Sequence, residues 1–493
     1  MNEYRKIVEV HKAFEKQETT PLQLAEAFLE KARNDKLNAF ITLCEERALK
    51  QARLAEDFLR RKGMVPKEKF PLFGIPLGIK DLLAIDGLRM TCGSKILANY
   101  VPPYTATVVR RLEEAGAVVV GKLNMDEFAM GGSNENSAFG AVKHPLFSDR
   151  VPGGSSGGSA AAVKANLCVA ALGTDTGGSI RLPASYCGVV GFKPTYGSVS
   201  RYGLTAFASS LDQAGPMTNS VEDAAIIMSS MAGHDPLDST SAPMASEDYQ
   251  SFLMQKIDWT KIRVGVPKEY LVGGLAPDVE NAIQDSLKWF EAQGARIKEI
   301  SLPHTKYAVA VYYIVAVSEA SSNLARFDGV RFGVRPEEAR KTDNLEKFYE
   351  SVRGLFGAEV KRRIILGTFS LSSGYYDAYY KKACQVRRLI KNDFDEAFEQ
   401  VDLISAPVAP TTAYRFNEKT NDPLQMYLND IFTIPVNLAG LPAISVPCGQ
   451  DREGLPIGLH LIAPQFHDSQ LLKFADAFEK GHDVGRSGDE SGI

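Results

Sequence analysis

The sequence predicts an α/β fold with mostly parallel strand pairing, and three stretches carry that reading. Apolar residues alternate through Pro71-Leu72-Phe73-Gly74-Ile75-Pro76-Leu77-Gly78-Ile79-Lys80-Asp81, the period of a strand. A helical segment then stops at Gly116, and Ala117-Val118-Val119-Val120 reads as a short buried strand. Helix followed by strand returns between two glycine-rich turns, from Ala160 to Leu172. Strands alternating with helices in this way stack as layers around a sheet.

The remaining elements follow in order. Residues 4–17 predict an amphipathic helix. Thr20-Pro21-Leu22-Gln23 predicts a capping box with proline at the first helical position, opening a helix to about Asn38. Lys62 to Lys69 is a polar loop ahead of the Lys80 strand. Thr105 or Thr107 is the expected cap of the helix through Arg110, Arg111 and Leu112. Phe192 to Gly197 reads as a strand into a turn, Asp235 to Ala245 as a polar loop, and Ile262 to Pro267 as another strand. Pro277 to Gly294 predicts a helix whose stripe of Val279, Ile283, Leu287 and Phe290 faces the core. Residues 305–325 and 357–395 predict mainly helices, and Leu403–Pro407 and Ile457–Ile462 further strands. From Gly481 a frayed tail is expected.

Composition narrows the function classes. With 44% hydrophobic and 24% charged residues, the chain has an ordinary globular composition. A net charge of −4 excludes a strongly basic nucleic-acid footprint. The six cysteines are scattered without a C-x-x-C pair, which points to a reducing compartment and away from zinc. The charged start leads into no signal-like run, and no apolar stretch reads as long enough to span a bilayer, so the cytoplasm is the expected location.

The chemistry gathers in the two turns, Gly153-Gly154-Ser155-Ser156-Gly157-Gly158-Ser159 and Gly173-Thr174-Asp175-Thr176-Gly177-Gly178-Ser179. Glycine lets a ligand approach main-chain N–H groups, and a serine among them can serve as an acyl-transfer nucleophile with its oxyanion hole at hand. A phosphate cradle is excluded, because Ser159 stands where that motif needs lysine. Gly154 to Gly158 matches the G-x-S-x-G nucleophile elbow, yet a loop precedes it where a strand is required. A flexible linker is the third reading, against which the second turn of the same kind weighs. None of the seven histidines lies in a motif with a serine. Lys80 is the candidate base, since burial at a strand end lowers a lysine pKa by up to about 3–5 units and a neutral amine can take a serine proton. A lysine snorkelling at a strand end is the alternative.

The two turns, the spacing of Ser155 and Ser179 (179 − 155 = 24) and Lys80 behind Gly74-Ile75-Pro76-Leu77-Gly78-Ile79 resemble the amidase signature family. Lys122 to Gly131, Ser200 to Leu204, Ser209 to Gln213 and Ser372 to Tyr380 resemble its glutaminase branch, which serves tRNA-dependent amidotransferases. The resemblance covers about the whole chain and implies a large mixed, mostly parallel β-sheet flanked by helices on both faces. It overrides the roughly three domains that length alone suggests. Residues 1–65 are then a helical region packed on the core, 66–480 a single domain and 481–493 a flexible tail.

The resemblance further implies a Ser–Ser–Lys triad: Ser179 attacks, Ser155 relays the proton and Lys80 is the base, with the N–H groups of Thr176, Gly177, Gly178 and Ser179 as oxyanion hole. Glutamine carries a carboxylate and an ammonium, so its pocket needs a cation and an anion. Arg363, with Arg362 as near alternative, is the implied cation and Asp430 the implied anion; Tyr312 stands at the rim and Met130 to Asn134 in the wall. Leu182 stands where related chains usually have glutamine, and Ser198 where they often have arginine. This chain shows no ATP-binding loop and no cofactor is expected in it. The implied partners are a B subunit, which uses ATP and magnesium and binds Glu-tRNA(Gln), and a small clamping C subunit. A free-standing amidase for small amides is the alternative, and a non-catalytic scaffold is a third reading, against which the intact Lys80, Ser155 and Ser179 stand.

Overall fold

The computed structural model describes residues 3–244, 247–271, 274–419 and 423–482. Its centre is one eleven-stranded sheet. In chain order the strands are β1 (Phe40–Leu43), β2 (Pro76–Lys80), β3 (Val118–Leu123), β4 (Ala170–Asp175), β5 (Val190–Lys193) and β6 (Gln213–Thr218). Then come β7 (Arg263–Pro267), β8 (Arg296–Ile300), β9 (Leu403–Pro407), β10 (Ala443–Gln450) and β11 (Pro456–Ile462). Their order across the sheet is β1-β3-β2-β4-β6-β5-β10-β11-β9-β7-β8.

The pairing corrects one expectation. Only β2 with β3 and β4, and β7 with β8 and β9, run parallel. The other six of the ten pairings are antiparallel, including the whole centre. The β10–β11 connection shows the cause: residues 451–455 form a turn too short for the crossover that parallel strands need.

Alternation of side chains builds two cores. Leu403, Ile444 and Leu461 enter one apolar cluster, while their neighbours Ile404, Ala443 and Ile462 enter another. The first is covered by helices that include Pro21–Arg33, Val221–Met231 and Asp468–Gly481. The second is covered by Ala308–Asn323, Ala358–Leu371, Lys382–Phe398 and Ile434–Ala439. The sheet is thus helix-covered on both faces, as burying both faces of central strands demands. The continuous helical run Thr305–Arg326 is, against expectation, long and apolar enough to cross a bilayer; here half of it is buried, packed on Ala358–Leu371 and Lys382–Phe398.

Local signals hold in part. The Thr20 box forms as expected, with Thr20 Oγ1 accepting from Gln23 N, but the helix ends at Arg33. Thr107 is the first helical residue, not a cap; its hydroxyl donates to Asp235 Oδ2 at 2.6 Å, and Thr105 Oγ1 accepts from Asp86 N. Within the first 65 residues lies β1, so this region supplies an edge strand as well as helices. In the Pro277–Gln293 helix Val279, Ile283 and Phe290 are buried, and Leu287 is half-buried. The tail expected to fray lies, from residue 483, outside the described residues.

Candidate active site

Parallel pairing assembles the site. Leu77 of β2 faces Ala170 of β4 and Ile79 faces Leu172, so Lys80 and Thr174 emerge together at the carboxyl ends of neighbouring strands. Lys80 is wholly buried. Its Nζ donates to Ser155 Oγ, Ser156 Oγ and Thr174 Oγ1, each at 2.8 Å. Burial pulls its pKa down to about 7, opposed by Asp126, Asp175 and Asp212. Lys193 is also buried and pulled down to about 7, by burial and then by Arg181. Its amine donates to the Pro194 carbonyl oxygen at 2.7 Å, which leaves Lys80 as the amine on the serines.

Ser156 fastens the two turns. Its Oγ donates to the Thr174 carbonyl and accepts from Thr174 N, and its own N donates to the Ser179 carbonyl at 3.2 Å. Ser155 has no solvent exposure, whereas Ser179 is 7% exposed, so Ser179 is the serine a substrate can reach. No hydrogen bond among the described residues is donated by the main-chain N–H groups of Thr176, Gly177, Gly178 or Ser179. Gly178 has φ +150°, and a Cβ there would lie 2.4 Å from Thr433 Oγ1 and 2.7 Å from Asp430 Oδ1. Glycine is therefore required where the turn passes the candidate anion.

Two of the candidate pocket residues, Asp430 and Tyr312, meet the same turn. Asp430 Oδ1 is buried without a hydrogen-bond partner among the described residues, and burial, with the nearby Asp175 charge, pushes the carboxyl up to about 8. Tyr312 packs its ring on Gly177, where a Cβ would stand 2.7 Å from Cζ. Gly132 approaches Asp430 Oδ2, which puts the Met130–Asn134 segment beside the anion. Arg363 is buried, its Nε donating to Glu359 Oε1 at 2.8 Å, with the Tyr313 and Tyr427 rings within 5.5 Å. Its guanidinium charge bears on Asp430. Arg362 has a side chain 47% exposed and lines an outer cleft of about 160 Å³ with Glu359, Ser133 and Met426, so the inward cation is Arg363.

Several residues of this centre receive no role from the sequence, although Ser156, Thr174, Asp126 and Asp212 lie in stretches singled out there. Thr174 and Ser156 hold Lys80, and the charges of Asp126 and Asp212 bear on it. Arg181 makes a fully buried pair with Asp175 and also donates to Thr433 O and Asn437 Oδ1. Burial opposes the Asp175 charge, yet Arg181 holds this carboxyl well below the usual range. One signal for the pair does exist: opposite charges six residues apart in a stretch of small and apolar residues can be buried only together. Arg181→Met strands Asp175 and should cost about 3–5 kcal/mol, read as a loss in urea-unfolding stability. Leu182 is buried against Tyr186 and Val151, and Ser198 Oγ donates to the Thr195 carbonyl oxygen, so neither departure touches the serines.

A reachable serine in a turn whose N–H groups donate no hydrogen bond among the described residues, a second serine on a dry lysine, and a buried arginine and carboxyl group nearby suit acyl transfer from a small charged amide. The chain matches the family described as Amidase over residues 23–472. The chain belongs to the amidase family. Over 479 residues it is 54% identical to the A subunit of glutamyl-tRNA(Gln) amidotransferase from Carboxydothermus hydrogenoformans, covering 97% of each chain. It superposes on the crystal structure of the corresponding Thermotoga maritima protein with TM-score 0.75 at 43% identity, over 94% of this chain and 92% of that one. The peptide amidase PAM, bound to the competitive inhibitor chymostatin, is similar at 30% identity and TM-score 0.80, over 96% and 97%.

Proposed function

We propose that the chain is the glutaminase component of a tRNA-dependent amidotransferase. It hydrolyses glutamine and passes ammonia to a partner that converts Glu-tRNA(Gln) to Gln-tRNA(Gln). The observation that carries the reading is Lys80 Nζ held 2.8 Å from Ser155 Oγ in a dry interior beside the Ser179 turn. The likeness to proteins named as A subunits of glutamyl-tRNA(Gln) amidotransferase supports it.

Ser179 Oγ attacks the side-chain amide carbon. Its proton passes to Ser155, whose own proton passes to neutral Lys80. The oxyanion lies on the N–H groups of Thr176 to Ser179, each such donor contributing about 10²–10³ in rate. Lys80 returns the proton through Ser155 to the leaving ammonia, and water resolves the glutamyl ester. Arg363 receives the α-carboxylate and Asp430 the α-ammonium. ATP and magnesium serve the B subunit, which activates the tRNA-bound carboxylate, and a C subunit clamps the pair. An amidase for small amides is the second reading, favoured by the likeness to the peptide amidase; the buried Arg363, with the Asp430 carboxyl unpartnered at Oδ1 among the described residues and ready to give up its proton to an arriving ammonium, favours a free amino acid.

The test is amidation of Glu-tRNA(Gln) by the assembled subunits with glutamine as donor. Failure to amidate, together with turnover of simple amides, sinks the amidotransferase reading. Asp430→Asn should raise the KM for glutamine roughly 30-fold, the loss of one charge-assisted contact of about 2 kcal/mol. An unchanged KM removes Asp430 from the pocket.

A further inference from the structure

We propose that Asp126 is a positioning residue for this reaction: its carboxylate fastens the pocket wall to the Ser155 turn and sets its negative charge against Lys80. The inference rests on the reading of Lys80 as base.

Asp126 follows β3 and has no solvent exposure. Its Oδ2 accepts from Asn134 N at 2.9 Å and its Oδ1 from Asn136 N at 3.1 Å, so one carboxylate gathers the wall segment. Its own N donates to the Ser155 carbonyl oxygen at 3.3 Å. A Cβ at Gly131 would lie 2.3 Å from Asp126 Cγ, and one at Gly154 would lie 2.1 Å from Oδ2. The carboxylate is thus wedged between the wall and the turn that carries Ser155, with room on either side only for glycine.

The charges around Lys80 single this group out. The charges of Asp126, Asp175 and Asp212 bear on it, with the Cys92 thiol. Burial pushes that thiol up to about 12, so it is neutral. Asp175 is neutralised by Arg181. Asp212 accepts from Thr176 Oγ1 and from the N–H groups of Phe207 and Ala208, with Arg201 adding positive charge. Asp126 has main-chain donors, with Lys80 as the cation bearing on it and Glu135 as an opposing charge. Burial lifts its carboxyl to about 6, so it is charged at neutrality and favours the protonated amine.

The experiment is kcat at saturating glutamine against pH, with KM alongside, in the assembled enzyme, wild type beside Asp126→Asn; kcat is read because Asp430 adds its own limb to kcat/KM. With the charge gone, the acid limb should move down by about one pH unit, and KM should rise several-fold as the wall loosens. An unmoved acid limb overturns the proposal, because a merely structural carboxylate would lower yield or melting temperature and leave the limb in place. If Asp126→Asn does not fold, Asp126→Glu keeps the charge but lengthens the arm. A raised KM with the limb in place supports the proposal, and an unchanged KM overturns it. A wild type with no acid limb near neutrality sinks the Lys80 reading instead, so the two failures are distinguishable.

Discussion

Alanine at position 179 should cut glutamine-dependent amidation by at least about 10⁴-fold while leaving ammonium-dependent amidation near the wild-type rate. The hydroxyl removed is the group that forms the covalent bond, and the oxyanion donors and pocket left behind cannot replace it. Ser179 Oγ makes no hydrogen bond among the described residues, so its loss should change stability by no more than about 0.5 kcal/mol. The split between donors is what makes the result specific. A misfolded chain would fail with both, whereas a missing nucleophile fails only with the donor that must be hydrolysed. Near-normal glutamine use by Ser179→Ala would remove the serine from the mechanism.

Lys80→Met should lower glutamine turnover by about 10²–10⁴-fold, the range of a lost general base. Methionine fills the space of the lysine stem without an amine for Ser155, and it removes a charge whose burial is unfavourable. The pH dependence gives a second reading of the same group. Burial lowers the Lys80 pKa to about 7, so the neutral amine grows as pH rises through that value. In the wild type kcat at saturating glutamine, where Asp430 is already paired, should therefore climb from about pH 6 to about pH 8 with a midpoint near neutrality, and the residual kcat of Lys80→Met should lack that limb. A midpoint near the usual lysine value of about 10 would show an amine that stays protonated and cannot act as base.

What the sequence yields and what it withholds divide along physical lines. The Lys80 strand is legible because alternation is a local property, and the serine turns because glycine clusters mark where backbone must come close. The central pairing is not legible. β5 lies between β6 and β10, a strand far away in the chain, and no local pattern encodes that pairing. Thr107 misleads for the same reason, its hydroxyl being taken by Asp235 from a distant loop. Arg363 and Asp430 come only from resemblance, since a buried cation and a solvated one look alike in sequence. Asp126 and Asp212 lie in stretches that carry the resemblance, but nothing local assigns them a role; only folding brings their charges to bear on a lysine.

The neighbouring places of β2 and β4 also bear on when this enzyme can become active during its synthesis. Lys80 and Ser155 meet across 75 residues of chain, and β2 finds β4 only after residue 170 has been made. Closure over such separations is slow compared with helix formation, so the centre belongs to the late stages of folding. A nascent chain that has reached only β3 carries its lysine in a half-built sheet, hydrated and protonated, with no serine to activate. Reactivity arrives with compaction, which keeps an unfinished polypeptide from spending glutamine on its way out of the ribosome.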